Sequence, residues 1–254
     1  MVTLAGHSKW ANRVHRKTRQ DAKRAKLFAK LSRSLIVITR EGGGDPDMNP
    51  RLRTLIDSAR QAEMPGDRIE YAIKRGLGEV EGKQFEPVRY EGYGPAGVAL
   101  LVECLTDNNQ RTVAQIRNLL KERGGKLGGA GSVTWMFEQK GVITVPKAEA
   151  DEETVFLAAA EAGAEDVLDE DEEYFEIHTG VRDFHVVLEA LRAEGIPTER
   201  AELTMVPANN VPVPDDDAPK VLALLDSLQD HEDVQQVFAN FEVSDEAMAA
   251  YDTN

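Results

Sequence analysis

The stretch VITVPKAEADEETVFLAAAEAGAEDVLDEDEEYFEIHTGVRDFHVVLEALRAEGIPTERAELTMV, residues 142–206, decides the fold class of this 254-residue chain. It opens with a β-branched strand pattern at 142–145, and an alanine-rich helical run near 152–162 stops at Gly163. Short strand patterns at about 165–168 and 174–178 flank the acid run 169–173, which places Tyr174 where a calcium loop would need glycine. A second helical pattern over 181–194 ends at Gly195, and a strand follows from about 199 to 206. In order this is β-α-β-β-α-β, the split arrangement of a ferredoxin-like domain.

On the upstream side, residues 133–137 read as a further strand. Farther back, 88–90 and 98–105 read as a hairpin around Gly92-Tyr93-Gly94-Pro95-Ala96-Gly97. That turn is a literal G-x-G-x-x-G, but a dinucleotide site needs its last glycine to open a helix, and here it opens a strand. A helix over about 109–123 should bury Val113, Ile116, Leu119 and Leu120 and present Arg111, Arg117, Lys121 and Arg123. The loop 124–132, GGKLGGAGS, has main-chain N–H groups suited to an anion, but it lacks the Gly-Lys-Ser/Thr ending of a nucleotide P-loop; a linker is the preferred reading. On the downstream side, a Pro-rich linker at 207–214 precedes a helix near 218–228 and a strand at 234–241 that have no local partner. They should return to the domain begun at Val88, with the residues after Val243 a tail.

The N-terminal part carries helical periods. Phe28, Leu31, Leu35 and Ile38 make an apolar stripe, and the glycine cluster 42–44 with Asp45-Pro46 must stop that helix. Asn49 followed by Pro50 starts a second helix, with Leu52, Leu55, Ile56, Ala59 and Ala62 inside and an end at Met64, because Pro65 disfavours helical geometry before it. Asp67 and Glu70 have capping-box spacing for a third helix, with stripe Ile69, Ala72 and Ile73 and Gly76 beyond it. The expected architecture is therefore α+β and multi-domain: a three-helix domain at 1–78, an α+β domain made of 79–138 plus 208–243, the ferredoxin-like domain 139–207 inserted into it, and a tail at 244–254.

Charge divides along the same line. The first forty residues hold eleven Lys/Arg against the single acid Asp21, a net +10, whereas the whole chain is −15. Lys23, Lys26, Lys30 and Arg33 recur at the spacing of one helical face, about 140° from the apolar stripe. An ordinary solvated helix mixes signs, so a near absence of acids points to a polyanion, and nucleic acid is the first candidate. The expected contact set is Lys9, Trp10, Arg13, His15, Arg16, Lys17, Arg19, Lys23, Arg24, Lys26, Lys30 and Arg33, with Trp10 either stacked on an unpaired base or anchored in a core.

Ala5-Gly6-His7-Ser8-Lys9-Trp10-Ala11-Asn12, His15-Arg16-Lys17, Gln20-Asp21-Ala22-Lys23-Arg24, Arg40-Glu41-Gly42-Gly43-Gly44-Asp45-Pro46 and Asn49-Pro50-Arg51-Leu52-Arg53 resemble the YebC family. The likeness continues through Arg89-Tyr90-Glu91-Gly92-Tyr93-Gly94-Pro95, Glu103-Cys104-Leu105-Thr106-Asp107-Asn108, Gly124-Gly125-Lys126-Leu127-Gly128 and Gly131-Ser132-Val133, so it spans most of the chain. Members are described as probable DNA-binding transcriptional regulators, and mitochondrial relatives are linked to activating translation. The resemblance implies a helical N-terminal domain and two α+β domains, the third inserted into the second. Family chains begin with Met directly before the Ala-Gly-His-Ser-Lys-Trp motif, whereas Met1-Val2-Thr3-Leu4 precede it here, so the natural start is expected at position 4. Arg13-Val14 departs from the usual apolar-Lys pair and moves the charge by one position.

Other classes are set aside on chemistry. The single Cys104 permits no internal disulfide framework and fits a reducing, cytoplasmic setting. No apolar run nears the roughly 18 residues of a membrane span. The Arg-rich start also resembles a mitochondrial transit peptide, but the same residues carry the family motif. His7, His15, His178, His185 and His231 show no metal-ligand spacing with Cys104, and no nucleophile motif occurs; Glu91, Glu103 and Asp107 are abundant-type carboxylates rather than an acid/base set. The expectation is a monomeric, non-enzymatic nucleic-acid binder without cofactor or metal, acting on DNA. The alternatives are ribosomal or transfer RNA as the target, or a basic protein partner for the acidic domains.

Overall fold

The computed structural model describes residues 4–6, 9–11, 21–169, 171 and 173–252, and the side chains of these except 4, 5, 21–23 and 252. The chain forms two compact units, residues 1–134 with 210–254, and residues 135–209.

In the first unit, β1 (Leu4–Gly6) precedes three helices, α1 (Asp21–Gly42), α2 (Pro50–Gln61) and α3 (Gly66–Gly76). Asn49 caps α2 by accepting from the Leu52 N–H at 3.2 Å, as its place before Pro50 predicts. Leu35, Ile36, Leu52, Ile56, Ala59, Ile69 and Ala72 close one core, joined by Phe85 and Leu105. On α1 the buried set is wider than the predicted stripe: Phe28, Leu31 and Ile38 are only half-buried, while Ile36 and Val37 are buried. One reason is the close crossing of α1 and α3, where a Cβ on Gly76 would sit 2.7 Å from the Ile36 carbonyl oxygen.

Two helix ends differ from expectation. α2 stops at Gln61 rather than Met64, because Glu63 takes a left-handed φ of 58° and the Met64 N–H turns back to the Ala59 carbonyl, sending the Met64 side chain into the core. α3 begins at Gly66 with no side-chain cap; Asp67 accepts only from the Arg68 N–H, so the predicted capping box does not form. Inside the first turn, the Asp67 carboxylate instead complements the helix dipole.

The rest of this unit is a four-stranded sheet in the order β10 (Val234–Ala239), β3 (Ala99–Thr106), β2 (Glu86–Tyr93), β4 (Lys126–Leu127). β2 and β3 form the hairpin expected from sequence, antiparallel from Glu86↔Thr106 to Tyr93↔Ala99. The late strand β10 returns to pair with β3. Two helices, α4 (Asn109–Glu122) and α7 (Ala218–Gln229), supply Ile116, Leu120, Val221, Leu222 and Leu225 to a core with Val98, Leu100, Val102, Cys104, Val234 and Val237.

A small sheet of β1, β11 (Phe241–Ser244) and β9 (Val211–Pro212) completes the unit. The residues after Val243 are not a tail. Ser244 caps α8 (Asp245–Asp252) through the Ala247 N–H at 3.1 Å, and Met248 and Tyr251 pack into the core. Residues 207–214 also contain β9, paired parallel to β11, and are not wholly linker.

The second unit runs β5 (Phe137–Pro146), α5 (Glu152–Glu161), β6 (Asp166–Leu168), β7 (Tyr174–Thr179), α6 (Phe184–Ala193), β8 (Arg200–Pro207), with sheet order β6-β7-β5-β8. This is the predicted ferredoxin-like succession, and Ile143, Val145, Phe175, Ile177, Val187 and Leu191 form its core. The two strands expected at 133–137 and 142–145 are instead a 3-10 turn, Thr134–Met136, and one continuous strand. The polar residues 138–141 stay in β5 because β8 pairs with it without a break from Phe137 to Thr144.

Candidate nucleic-acid interface

Of the twelve residues expected to contact nucleic acid, Arg13, His15, Arg16, Lys17 and Arg19 lie outside the described residues, as does the Lys23 side chain. Each of the other six meets partners within the first unit. Trp10 is 2% exposed and belongs to the α4–α7 core, its indole N–H directed at Asp226 Oδ1 at 3.4 Å. It is the core anchor of the two readings; a buried ring offers no face to a base, so the stacking expectation is corrected. Lys9 beside it pairs with Asp245 at 2.7 Å.

The face of α1 is likewise occupied. Arg24 pairs with Glu63, and its guanidinium lies 5.8 Å from the Phe28 ring centre. Lys26 stands 3.6 Å from Asp230, the Lys30 ammonium donates to the Gln229 carbonyl at 2.6 Å, and Arg33 donates to the Glu232 carbonyl while pairing with Asp233 at 3.3 Å. Burial pushes the Lys30 ammonium down to about 8 despite nearby Asp230. The four-residue cationic face is therefore seated, over the part described, on the turn 229–233 that joins α7 to β10. Sequence reasoning missed those acids because they lie about 200 positions away; the visible signal was the run Asp230-His231-Glu232-Asp233 directly after a helix.

Asp233 is fully buried and accepts from Arg111 at 2.6 Å and Thr112 Oγ1 at 2.7 Å. Burial alone would raise its pKa, but these donors and the Arg33 charge hold the carboxyl below the usual range. Arg111 also bonds Asp107 at 2.9 Å, and Lys83 reaches Asp107 at 2.5 Å. Glu103 pairs with Arg89 at 2.6 Å. Glu103 and Asp107 thus sit in ion pairs rather than in an acid/base arrangement. The Cys104 thiol, buried and near Asp233, is pushed up to about 12 and is unsuited to nucleophilic work.

Glu91 settles the glycine loop. Its carboxylate accepts from the main-chain N–H groups of Gly131 at 2.7 Å, Val133 at 2.7 Å and Thr134 at 2.9 Å, and its own carbonyl takes the Gly128 N–H. Burial works against the charge, but those donors outweigh it and hold Glu91 down to about 2. The anion cradle at that end of the loop is filled by the chain's own carboxylate. The G-x-G-x-x-G segment forms a 3-10 turn, Pro95–Gly97, opening β3, with Ala96 at φ 56° and Gly97 at φ 78°.

The other end of the loop is open. Tyr93, Gly94, Pro95, Ala96, Gly97, Gly124, Gly125 and Lys126 line a shallow groove of about 420 Å³. On α4, whose C-terminal end leads into this loop, Arg117 and Lys121, with Arg123 just beyond the helix, are exposed and make no ion pair among the described residues. Among those residues no group of three or more His, Cys, Asp or Glu is placed to hold a metal ion, and no helix is long and apolar enough to cross a membrane.

Two family models match, the TACO1/YebC protein N-terminal domain over residues 8–79 and the TACO1/YebC second and third domain over 85–241. A "probable transcriptional regulatory protein" of Persephonella marina is 53% identical, covering 96% of this chain and 98% of that one. A protein of the same description from Fusobacterium nucleatum is 50% identical over 98% of this chain and all of that one. The crystal structure of a conserved hypothetical protein from Aquifex aeolicus is similar at 48% identity and a TM-score of 0.81, covering 88% of this chain and 92% of that one.

Proposed function

The chain belongs to the TACO1/YebC family, and from that premise we propose that it is a nucleic-acid-binding regulator of gene expression that performs no chemistry on its ligand. The observation that carries this reading is charge segregation: +10 over the first forty residues of a chain that is −15 in all. Phosphate neutralisation with counterion release is what such a segment does best, and it supplies affinity and steering without reading sequence. DNA is the target proposed first, because relatives carry the name probable transcriptional regulatory protein and regulating transcription is work done on DNA. Trp10, which as a stacking platform would have favoured an unpaired strand such as RNA, is buried and gives RNA no support.

With α1 engaged internally, the phosphate contacts fall to the cations between Arg13 and Arg19. Changing Arg13, Arg16, Lys17 and Arg19 together to Ala should flatten the plot of log K against log salt by about 0.9 per duplex phosphate contact, or about 0.7 on a single strand. The measurement is direct binding of the full chain to duplex DNA, single-stranded DNA and RNA, with ribosome sedimentation in parallel. A full chain that binds none of these in a salt-dependent way overturns the reading.

A further inference from the structure

We infer that the groove between the Tyr93–Gly97 turn and the Gly124–Lys126 bend is a second nucleic-acid contact, one that receives an unpaired nucleotide of a single strand. The inference deepens the nucleic-acid reading and rests on it. Three independent features meet there. The first is charge: residues 117–126 hold Arg117, Lys121, Arg123 and Lys126 against the one acid Glu122, in a chain that is otherwise acidic beyond its start. Cations at a helix C-terminus complement its dipole, which accounts for Lys121 and Arg123. Arg117 stands more than a turn earlier and Lys126 lies beyond the helix, so the dipole does not account for them.

The second feature is that these charges are unspent. Almost every basic residue of α1 is tied to an acid or a carbonyl, whereas Arg117, Lys121 and Arg123 are exposed without an ion pair among the described residues. The third is shape. Gly125 brings the bend against the Tyr93 carbonyl, where a Cβ would lie 2.5 Å from the oxygen, and a Cβ on Gly97 would meet open space. The result is a shallow, open groove lined by the Tyr93–Gly97 turn and the Gly124–Lys126 bend. Its one aromatic wall is the half-buried Tyr93, held by a hydroxyl hydrogen bond to the Ser132 carbonyl at 3.1 Å, with the Lys126 ammonium 5.6 Å from the ring centre.

A base fits that wall by stacking, and Lys126 moves from the ring to the phosphate that arrives with it. The strand then tracks Arg123, Lys121 and Arg117 along α4. A base inside a duplex is already stacked and cannot enter, so the groove selects unpaired strands, whether RNA or DNA.

The test uses the full chain with three probes: a twelve-residue uridine RNA, the matching thymidine DNA and a duplex. Two variants are compared with the wild type, the quadruple R117A/K121A/R123A/K126A and Tyr93→Leu. The quadruple variant should flatten the single-strand salt slope by up to about 0.7 per lost contact. Tyr93→Leu should weaken single-strand binding by about tenfold with the slope unchanged, as loss of one stacked base predicts. If Tyr93→Leu melts early, the quadruple variant of exposed side chains decides alone. Equal losses on RNA and DNA identify the shared chemistry, and a larger loss on one identifies the source. Single-strand binding that both folded variants retain in full overturns this inference and leaves the nucleic-acid reading standing. A wild type that prefers duplex to both strands has the same result, whereas a wild type that binds no probe ends both.

Discussion

At the scale of single residues, Glu91 and Trp10 show how one side chain fixes a loop or a chain end. Glu91→Gln keeps the size but offers one carbonyl oxygen where a carboxylate received three N–H donors, so it should cost roughly 1.5–3 kcal/mol. The sign with pH follows from a folded pKa of about 2 against an ordinary 4.5. The stabilisation is complete above pH 4.5 and is lost as pH falls towards 2. Urea midpoints at pH 5 and pH 3 should therefore converge for the two proteins, and parallel acid curves would sink the assignment. Trp10→Leu should destabilise the fold by about 2 kcal/mol, where full truncation to Ala costs about 3–5, and so lower the melting temperature while leaving nucleic-acid affinity unchanged. Lost affinity in a normally melting protein would return the indole to the interface. Neither role was legible from sequence: Trp10 flanked by Lys9 reads equally as platform or anchor, and its partner Asp226 is 216 positions away. The glycine loop did announce its free N–H groups, but only the fold brings Glu91 beneath them.

Among the elements, α1 carries the lesson that a period names a face but not its neighbour. Its helical repeat, the cap at Asn49, the β2–β3 hairpin and the ferredoxin-like succession were all legible, since each is written in spacing within a few turns of chain. What lay across from the cationic face was not, because the turn 229–233 is 199 positions away along the chain, from Lys30 to Gln229, and only the tertiary fold brings it there. Within that one interface the contacts differ in weight. Lys26 and Asp230 have side chains 55% and 60% exposed, and such pairs contribute about 0–1 kcal/mol. Arg33 is 14% exposed and faces the fully buried Asp233. Arg33→Ala leaves that charge short of a partner and should cost about 3 kcal/mol, the low end for a broken buried pair because Arg111 still bonds Asp233. Denaturant unfolding of R33A and K26A side by side checks this, and equal losses would mean that the buried network does not seat the helix.

Over the whole molecule, opposite charges are kept on different stretches of one chain, and the turn 229–233 is a place where they meet. Lys26 is paired with Asp230, and Glu232 sets a second negative charge beside Arg33, so those two acids oppose any polyanion that approaches this face. The carboxylates are 60% and 66% exposed, and converting them to amides removes little that the fold depends on. The double variant D230N/E232Q should therefore melt near the wild type while gaining affinity for non-specific nucleic acid at low salt. Its log K against log salt should steepen by up to about 0.9, the share of Lys26 released to a duplex phosphate. Lys30 and Arg33 should stay out of that sum, because Lys30 bonds the Gln229 carbonyl and its burial favours the neutral amine, and Arg33 keeps the Glu232 carbonyl and the buried Asp233. A steeper slope would mean that the chain tunes its own grip on nucleic acid through these acids. An unchanged slope in a folded double variant would mean that the face of α1 serves only to seat the helix, and that all phosphate contacts lie elsewhere on the chain.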